Sequence, residues 1–185
     1  GGKSTSHLAT LDTGTGAAFS WFPNVNNAVY AISTGISKIY IGGDFNSISG
    51  QRRERFAILD SATGSLLSEE TFANDRVQTI AFDGTNLYVG GNFLSLGMIK
   101  RNYIAAMENS TGKLLPWTPE ANNIVRALAV KDTIVYVGGS FTGIGGQTRN
   151  YIAAVGVESG QALNWNPNAS SIVYCLYAGN SSIYA

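Results

Sequence analysis

Charge is scarce in this chain, and histidine, cysteine and helical periodicity are scarcer still. Charged residues make up 13% of the 185 positions, about half the usual share of roughly 25%. The 12 basic and 12 acidic residues cancel, and the longest basic cluster, Arg52-Arg53-Glu54-Arg55, is interrupted by a carboxylate. A nucleic-acid binder carries a basic excess or stripe, so that class of partner is not expected. No apolar run approaches the roughly 18 residues of a membrane helix, and no membrane span is expected. Cys175 is the single cysteine, which excludes an intrachain disulfide and leaves the redox compartment unread. With His7 as the one histidine, an all-nitrogen/sulfur zinc site cannot be assembled within the chain. No cofactor or metal is implied. No stretch sustains a 3.6-residue apolar period, so helices are not expected either.

Glycine and short apolar runs are abundant instead. The 22 glycines are nearly twice what an average of roughly 7% would supply. They fall into a pattern: Tyr40-Ile41-Gly42-Gly43-Asp44-Phe45 recurs as Tyr88-Val89-Gly90-Gly91-Asn92-Phe93 and as Tyr136-Val137-Gly138-Gly139-Ser140-Phe141, and a fourth copy opens at Tyr184-Ala185. The spacing is 48 residues. A period in this range signals stacked supersecondary units. The chain reads as one domain, 1–185, with repeats at 1–48, 49–96, 97–144 and 145–185.

Four strands are expected per repeat. Val29-Tyr30-Ala31-Ile32 aligns with 77–80, 125–128 and 173–176, where the first column is always Val and the third is small (Ala31, Thr79, Ala127, Cys175). Ile39-Tyr40-Ile41 and its copies form the next strand, separated from the first by turn signals such as Asp83-Gly84. The third runs through Leu8–Leu11, 56–59, 104–107 and 152–155. It ends in Asp12-x-x-Thr15-Gly16 and Asp60-x-x-Thr63-Gly64, turns in which an Asp or Thr side chain bonds the backbone while Gly supplies positive φ. The fourth passes through Phe19 and Trp21, Leu66 and Leu67, Leu115 and Trp117, and Leu163 and Trp165. Pro116 within it argues for a sheet edge. Four short strands with two apolar faces describe a blade packed between neighbouring blades, so the expected fold is an all-β propeller.

The succession Y-(I/V)-G-G-x-F, a Gly-rich loop with an Arg, I-A, D-x-x-T-G and W-x-P before V-x-A-(I/L) resembles the delta-60 family of bacterial propeller repeats. Kelch repeats are a looser match through the paired glycines. The best copies run from Arg101 to Trp117 and from Arg149 to Trp165. The second copy departs from the pattern at Glu69 and Thr71, and Met98 replaces a loop glycine. The resemblance implies a propeller within large secreted or cell-surface bacterial proteins, with no catalytic residues. Half a blade at each end of three complete ones predicts a section of a longer propeller, the alternative being that the two halves join into a four-bladed ring.

Each candidate for chemistry has a structural alternative. Arg53, Arg101 and Arg149 occupy one loop column, with Thr5 in the first copy. They form either an arc that clamps an anion or a set of braces bonding carbonyls of the next blade. The loop before the Val strand, with Asn27, Asp75 and Asn123, is expected to share their face, and these six residues are the candidate binding residues. His7 shares its column with Arg55, Tyr103 and Tyr151, a strand-entry position without a specialised pattern. Cys175 is expected to pack as a small buried group. Trp21, Trp117 and Trp165 are either sugar-stacking platforms or packing anchors. Asp44 and Asp60 do not make a calcium loop. Tyr30, Gln78, Arg126 and Tyr174 share a strand column yet differ in chemistry, which makes that column a place to look for specificity. Sequons stand at Asn109, Asn168 and Asn180.

The expected function is a non-catalytic extracellular or cell-surface scaffold that contacts a protein or glycan and belongs to a larger chain or assembly. The alternatives are part of a propeller enzyme whose active residues lie elsewhere, or a structural subunit of a surface assembly.

Overall fold

A computed structural model of the chain describes residues 6–19, 23–67 and 71–185, so Thr5, Trp21 and Glu69 lie outside the described residues. Within them the β-branched and aromatic runs form strands and no helix is present. The first repeat unit contains β1 (Val29–Thr34), β2 (Lys38–Gly43), a two-residue hairpin of β3 (Ser47–Ile48) and β4 (Gln51–Arg52), and β5 (Phe56–Asp60). The second has β6 (Val77–Phe82), β7 (Asn86–Gly91), β8 (Ser95–Leu96), β9 (Ile99–Lys100) and β10 (Ile104–Glu108). The third has β11 (Val125–Lys131), β12 (Ile134–Gly139), β13 (Gly143–Ile144), β14 (Gln147–Thr148) and β15 (Ile152–Gly156), and a last pair is β16 (Tyr177–Ala178) with β17 (Ile183–Tyr184). Each unit is an antiparallel sheet of three strands with the Y-(I/V)-G-G strand in the middle. The hairpin inside the Gly-rich loop was not anticipated from the sequence.

The fourth strand is reduced to a single bridge. Leu59 pairs with Leu66, Met107 with Leu114 and Val155 with Ala162. One further bond follows in each copy, such as Leu115 N–H to the Ala106 carbonyl at 2.9 Å. Pro116 then has no N–H to extend the ladder. Leu8–Leu11 likewise holds only the Leu11–Ala18 bridge, because no glycine strand lies beside it. Val173–Leu176 forms no ladder before Tyr177; the register seen for β11 on β12 would place the partners of Val173 and Cys175 past Ala185. The expected D-x-x-T-G turns are present: Asp60 Oδ1 accepts from Ala62 N–H at 3.1 Å, Thr63 N–H at 2.8 Å and Thr63 O–H at 2.7 Å. These bonds, led by the Thr63 hydroxyl, hold the Asp60 carboxyl below its usual range, and Thr15 does the same for Asp12.

The paired glycines do two different jobs, and neither is a sharp turn. A Cβ on Gly42 would lie 2.3 Å from Val77 Cγ1, one on Gly90 2.5 Å from Val125 Cγ1, and one on Gly138 2.6 Å from Val173 Cγ1. The first glycine of each pair is therefore the hole into which the next unit's first valine seats, which accounts for the all-Val column. The second glycine receives its own unit's backbone: a Cβ on Gly43 would lie 2.0 Å from the Ala28 carbonyl oxygen, and one on Gly91 2.1 Å from that of Arg76. Successive sheets pack face to face with β1 beside β6, β6 beside β11 and β11 beside β16. Between them Phe45, Phe93 and Phe141 are fully buried, with Tyr40, Tyr88 and the leucines and valines of the middle and third strands. The described sheets make an open stack, and no sheet covers the far side of β1. There Ile32 is 56% exposed, whereas its counterpart Leu128 is 8% exposed.

Candidate functional site

The close approach at the second glycine shifts the pairing. Val29 pairs with Gly43 and Ala31 with Gly42, leaving Tyr30 as the extra residue of a β-bulge. The same shift leaves Gln78 out between Val77 and Thr79, and Arg126 out between Val125 and Ala127. Bulges re-aim a side chain away from the regular pleat. The variable column of the sequence is thus the bulge column, and the invariant residues around it exist to make the bulge.

Each bulge residue meets the residue that follows the glycine pair. The Tyr30 hydroxyl donates to Asp44 Oδ2 at 3.1 Å, Gln78 Nε2 to Asn92 Oδ1 at 3.2 Å, and Arg126 Nε to Ser140 Oγ at 3.1 Å. Backbone bonds fix those partners, since Asp44, Asn92 and Ser140 donate their amides to the carbonyls of Ala28, Arg76 and Ile124 at 2.8–2.9 Å. Across the sheet-to-sheet gap Arg76 grips Asp44 with both arms, Nε to Oδ1 at 2.7 Å and Nη2 to Oδ2 at 2.5 Å. Its guanidinium lies 4.9 Å from the centre of the Tyr30 ring. The Arg76 hydrogen bond, supported by that from Tyr30, holds the Asp44 carboxyl below its usual range. Arg126, itself a bulge residue, lies 5.3 Å over Tyr174, the bulge-column residue of the next copy. The result is a row of non-repeating polar and aromatic side chains at one end of the first strands.

Of the six residues proposed from sequence, Asn27, Asp75 and Asn123 adjoin this row, while the arginines are bonded to their own loop and the outer segment. Arg101 donates to the Lys100 carbonyl at 2.8 Å and the Leu115 carbonyl at 2.9 Å. Arg149 donates to Thr148 at 2.8 Å and Leu163 at 2.7 Å, and Arg53 donates to Arg52 at 2.8 Å. These carbonyls belong to each arginine's own unit, not to the next, because the outer segment folds back over the loop that carries the arginine. Asn27, Asp75 and Asn123 open the first strands, and each accepts the following backbone N–H at 2.6–2.8 Å. Their neighbours Asn26, Asn74 and Asn122 clamp the adjoining hairpin loops through pairs of backbone amides at 2.9–3.0 Å. No hydrogen bond joins the arginine column to the Asn27 column among the described residues. A cleft of about 400 Å³ opens beside Arg52, Arg53, Glu54, Thr71 and Phe72.

The other candidates sort by packing. Trp117 is 4% exposed, stands edge-on to Tyr88 at 5.2 Å, and donates from Nε1 to the Gly156 carbonyl of the next sheet at 2.9 Å. Trp165 repeats the ring contact on Tyr136 but is 37% exposed, with no further sheet against it. Cys175 is exposed instead of buried, because Val173–Leu176 has no ladder partner and only its Val173 and Leu176 side packs on the preceding sheet. His7 is exposed, and its column is specialised after all. His7, Arg55, Tyr103 and Tyr151 take left-handed φ values of 60°, 63°, 63° and 64°. The amide of Arg55 bonds Phe45 O at 2.8 Å while its carbonyl accepts from Gly43 N at 2.9 Å, which holds this conformation. Of the sequons, Asn109 uses its side-chain oxygen to accept the Tyr40 hydroxyl, and its carbonyl accepts from Lys38 at 3.0 Å. Among the described residues no three of His, Cys, Asp and Glu lie close enough to share a metal ion, and no helix is long and apolar enough to cross a membrane.

Sequence reasoning reached the bulge column but missed its partners. The signal was present in the variable letter of Y-(I/V)-G-G-x-F, which is Asp44, Asn92 or Ser140 in otherwise constant words. No family model matches the chain, and no curated protein does. Among solved structures it is similar to the computationally designed Ika4 protein, with a TM-score of 0.60 at 18% identity over 85% of this chain and 84% of that one. It is also similar to the computationally designed Ika8 protein, with a TM-score of 0.65 at 18% identity over 94% of this chain and 47% of that one. At such identity the likeness is one of fold.

Proposed function

We propose that this chain is a run of β-propeller blades of the delta-60 kind, acting as a non-catalytic scaffold that presents the bulge row to a protein or glycan outside the cell or at its surface. The carrying observation is a division of labour along the repeat. Gly42, Gly43, Val77, Phe45 and their copies repeat and are packed or bonded to one another. Tyr30, Gln78, Arg126 and Tyr174, with Asp44, Asn92 and Ser140, do not repeat and share one end of the first strands. A repeat whose packing residues recur while its bulge column and the residue after the glycine pair change has the form of a rigid support with a composite recognition edge.

Side-by-side first strands support the propeller reading, as does the exposure at the two ends of the stack. Ile32 and Leu11 on one side and Trp165 on the other are exposed, while their counterparts within the stack pack between sheets, as further blades would make them do. A crystal or cryo-electron-microscopy structure of the parent protein should show these units in a closed ring, and an open spiral would overturn the propeller. For binding, the purified protein is screened against a panel of extracellular glycans and matrix proteins beside a Gln78→Ala/Asn92→Ala/Tyr174→Ala variant. Loss of a bound panel member in the variant, with unchanged circular dichroism and melting temperature, is the expected result. Undiminished binding would remove the row from the function, and turnover of any panel member would overturn the non-catalytic reading.

A further inference from the structure

The row contains two arginines stacked over tyrosines, and only one of them is neutralised. Arg76 over Tyr30 holds Asp44 by two charge-assisted bonds. Arg126 over Tyr174 meets Ser140 where the other unit has Asp44, and a hydroxyl carries no charge. Its Nε donates to Ser140 Oγ at 3.1 Å. Among the described residues, both terminal nitrogens of Arg126 have no hydrogen-bond partner and no carboxylate lies within ion-pair range. Arg101 and Arg149, by contrast, direct both terminal nitrogens to backbone carbonyls. The row therefore holds two arginines over tyrosines, Arg76 reaching back from the next unit onto a built-in carboxylate and Arg126 from the bulge column onto a hydroxyl.

What surrounds Arg126 narrows the class of guest. Tyr174 is 68% exposed, so a ring face remains for an apolar or pyranose surface. The neighbouring Gln78–Asn92 dyad uses one donor and one acceptor on each other at 3.2 Å, and the remaining amide groups suit hydroxyls. One guanidinium within a chain of zero net charge selects a single planar carboxylate better than a polyphosphate backbone, which needs a basic stripe. Resting on the binding-scaffold reading above, we infer that Arg126, Ser140 and Tyr174 bind the carboxylate of an acidic sugar, with the guanidinium on the carboxylate and the tyrosine under the ring.

The test titrates the protein with a tetragalacturonate by calorimetry, beside its methyl ester and a tetraglutamate peptide. Binding of the free acid is expected, weakening as salt is raised. Esterification, Arg126→Gln and Ser140→Asp should each weaken it by about tenfold or more, as loss or pre-emption of a charged hydrogen bond does. Ser140→Asp is the informative variant, because it keeps the arginine and supplies the missing carboxylate from within. Arg52→Gln, on the exposed hairpin, should leave binding unchanged. Equal binding of the ester, or retention in Arg126→Gln, overturns the carboxylate assignment. Equal or tighter binding of the peptide overturns the sugar. No binding of the free acid overturns the inference, while the scaffold reading stands or falls separately on the glycan and protein panel.

Discussion

The two complete junctions between neighbouring sheets share a lock and differ in the contacts that close its ends. In the first, Val77 seats on Gly42, the bulge end is closed by Asp44 and Arg76, and Asn109 receives Tyr40 and Lys38 from the sheet before. In the second, Val125 seats on Gly90, Ile124 stands where Arg76 did, and Asn92 stands where Asp44 did. There the outer end is closed by Trp117, whose indole nitrogen reaches the Gly156 carbonyl. The first junction has Glu69 in the tryptophan column. The common part is steric and repeats, whereas the first junction adds an ion pair and the Tyr40–Phe82 ring contact, and the second adds the Trp117 indole and a Leu128 N–H bond to Thr79 Oγ1 at 3.2 Å. A residue's role in this molecule is thus set by the junction it closes, and its column is a poor guide when only one copy makes the contact.

Removing the aromatic fastening should break the comparison most severely. Trp117→Ala is expected to cost about 3–5 kcal/mol, the range for truncating a buried large aromatic. Equilibrium denaturation in urea measures it, and a loss under about 1 kcal/mol would mean that the second junction is closed by something else. Filling the shared lock comes next. Gly90→Ala and Gly42→Ala should each cost about 1–3 kcal/mol through overpacking, and the two losses should be alike. Combining Gly90→Ala with Val125→Ala should cost less than the two single losses added together, since the new methyl then enters space the valine vacates. Unequal losses at the two glycines would show that the lock is not common property.

The polar fastening should matter least. Asp44→Asn is expected to cost about 0.5–1 kcal/mol at neutral pH, because both partners are partly exposed and the pair is screened. The folded-state pKa of Asp44 is lowered by Arg76, so its contribution is present above the ordinary aspartate value near 4 and is lost as pH falls through the lower folded value. Wild type and Asp44→Asn should therefore differ in urea midpoint at pH 7 and converge in acid. A gap that persists in acid would assign the loss to packing instead of charge.

Much of this architecture could be read from the residues alone. Tyr-x-Gly-Gly announced the middle strands, Asp-x-x-Thr-Gly the turns after the third strands, and the Val column the first strands. The bulges were not legible, because they arise from a backbone carbonyl approaching Gly43 and Gly91, and no side-chain pattern encodes that approach. Their occupants were legible as an odd column, but their partners were found only once the register was known. Arg76 on Asp44 escaped because it occurs in one copy and joins two different columns. Cys175 misled for the opposite reason: Ala31 and Ala127 of its column are buried, as Trp117 is where Trp165 is not, and burial comes from the neighbouring sheet, not from the residue itself.

The valine lock has one more consequence. Gly42 and the Val77 that fills it belong to different repeats, as do Gly90 and Val125, so no repeat is a finished part by itself. Excising residues 49–96 would set Gly42 and Val125 in the relation that Gly90 and Val125 have now, whereas moving the glycine and valine columns out of step would leave a glycine facing the wrong side chain. This chain can be lengthened or shortened only in whole periods, and each new member inherits a fitted joint while its bulge residue is free to be anything at all.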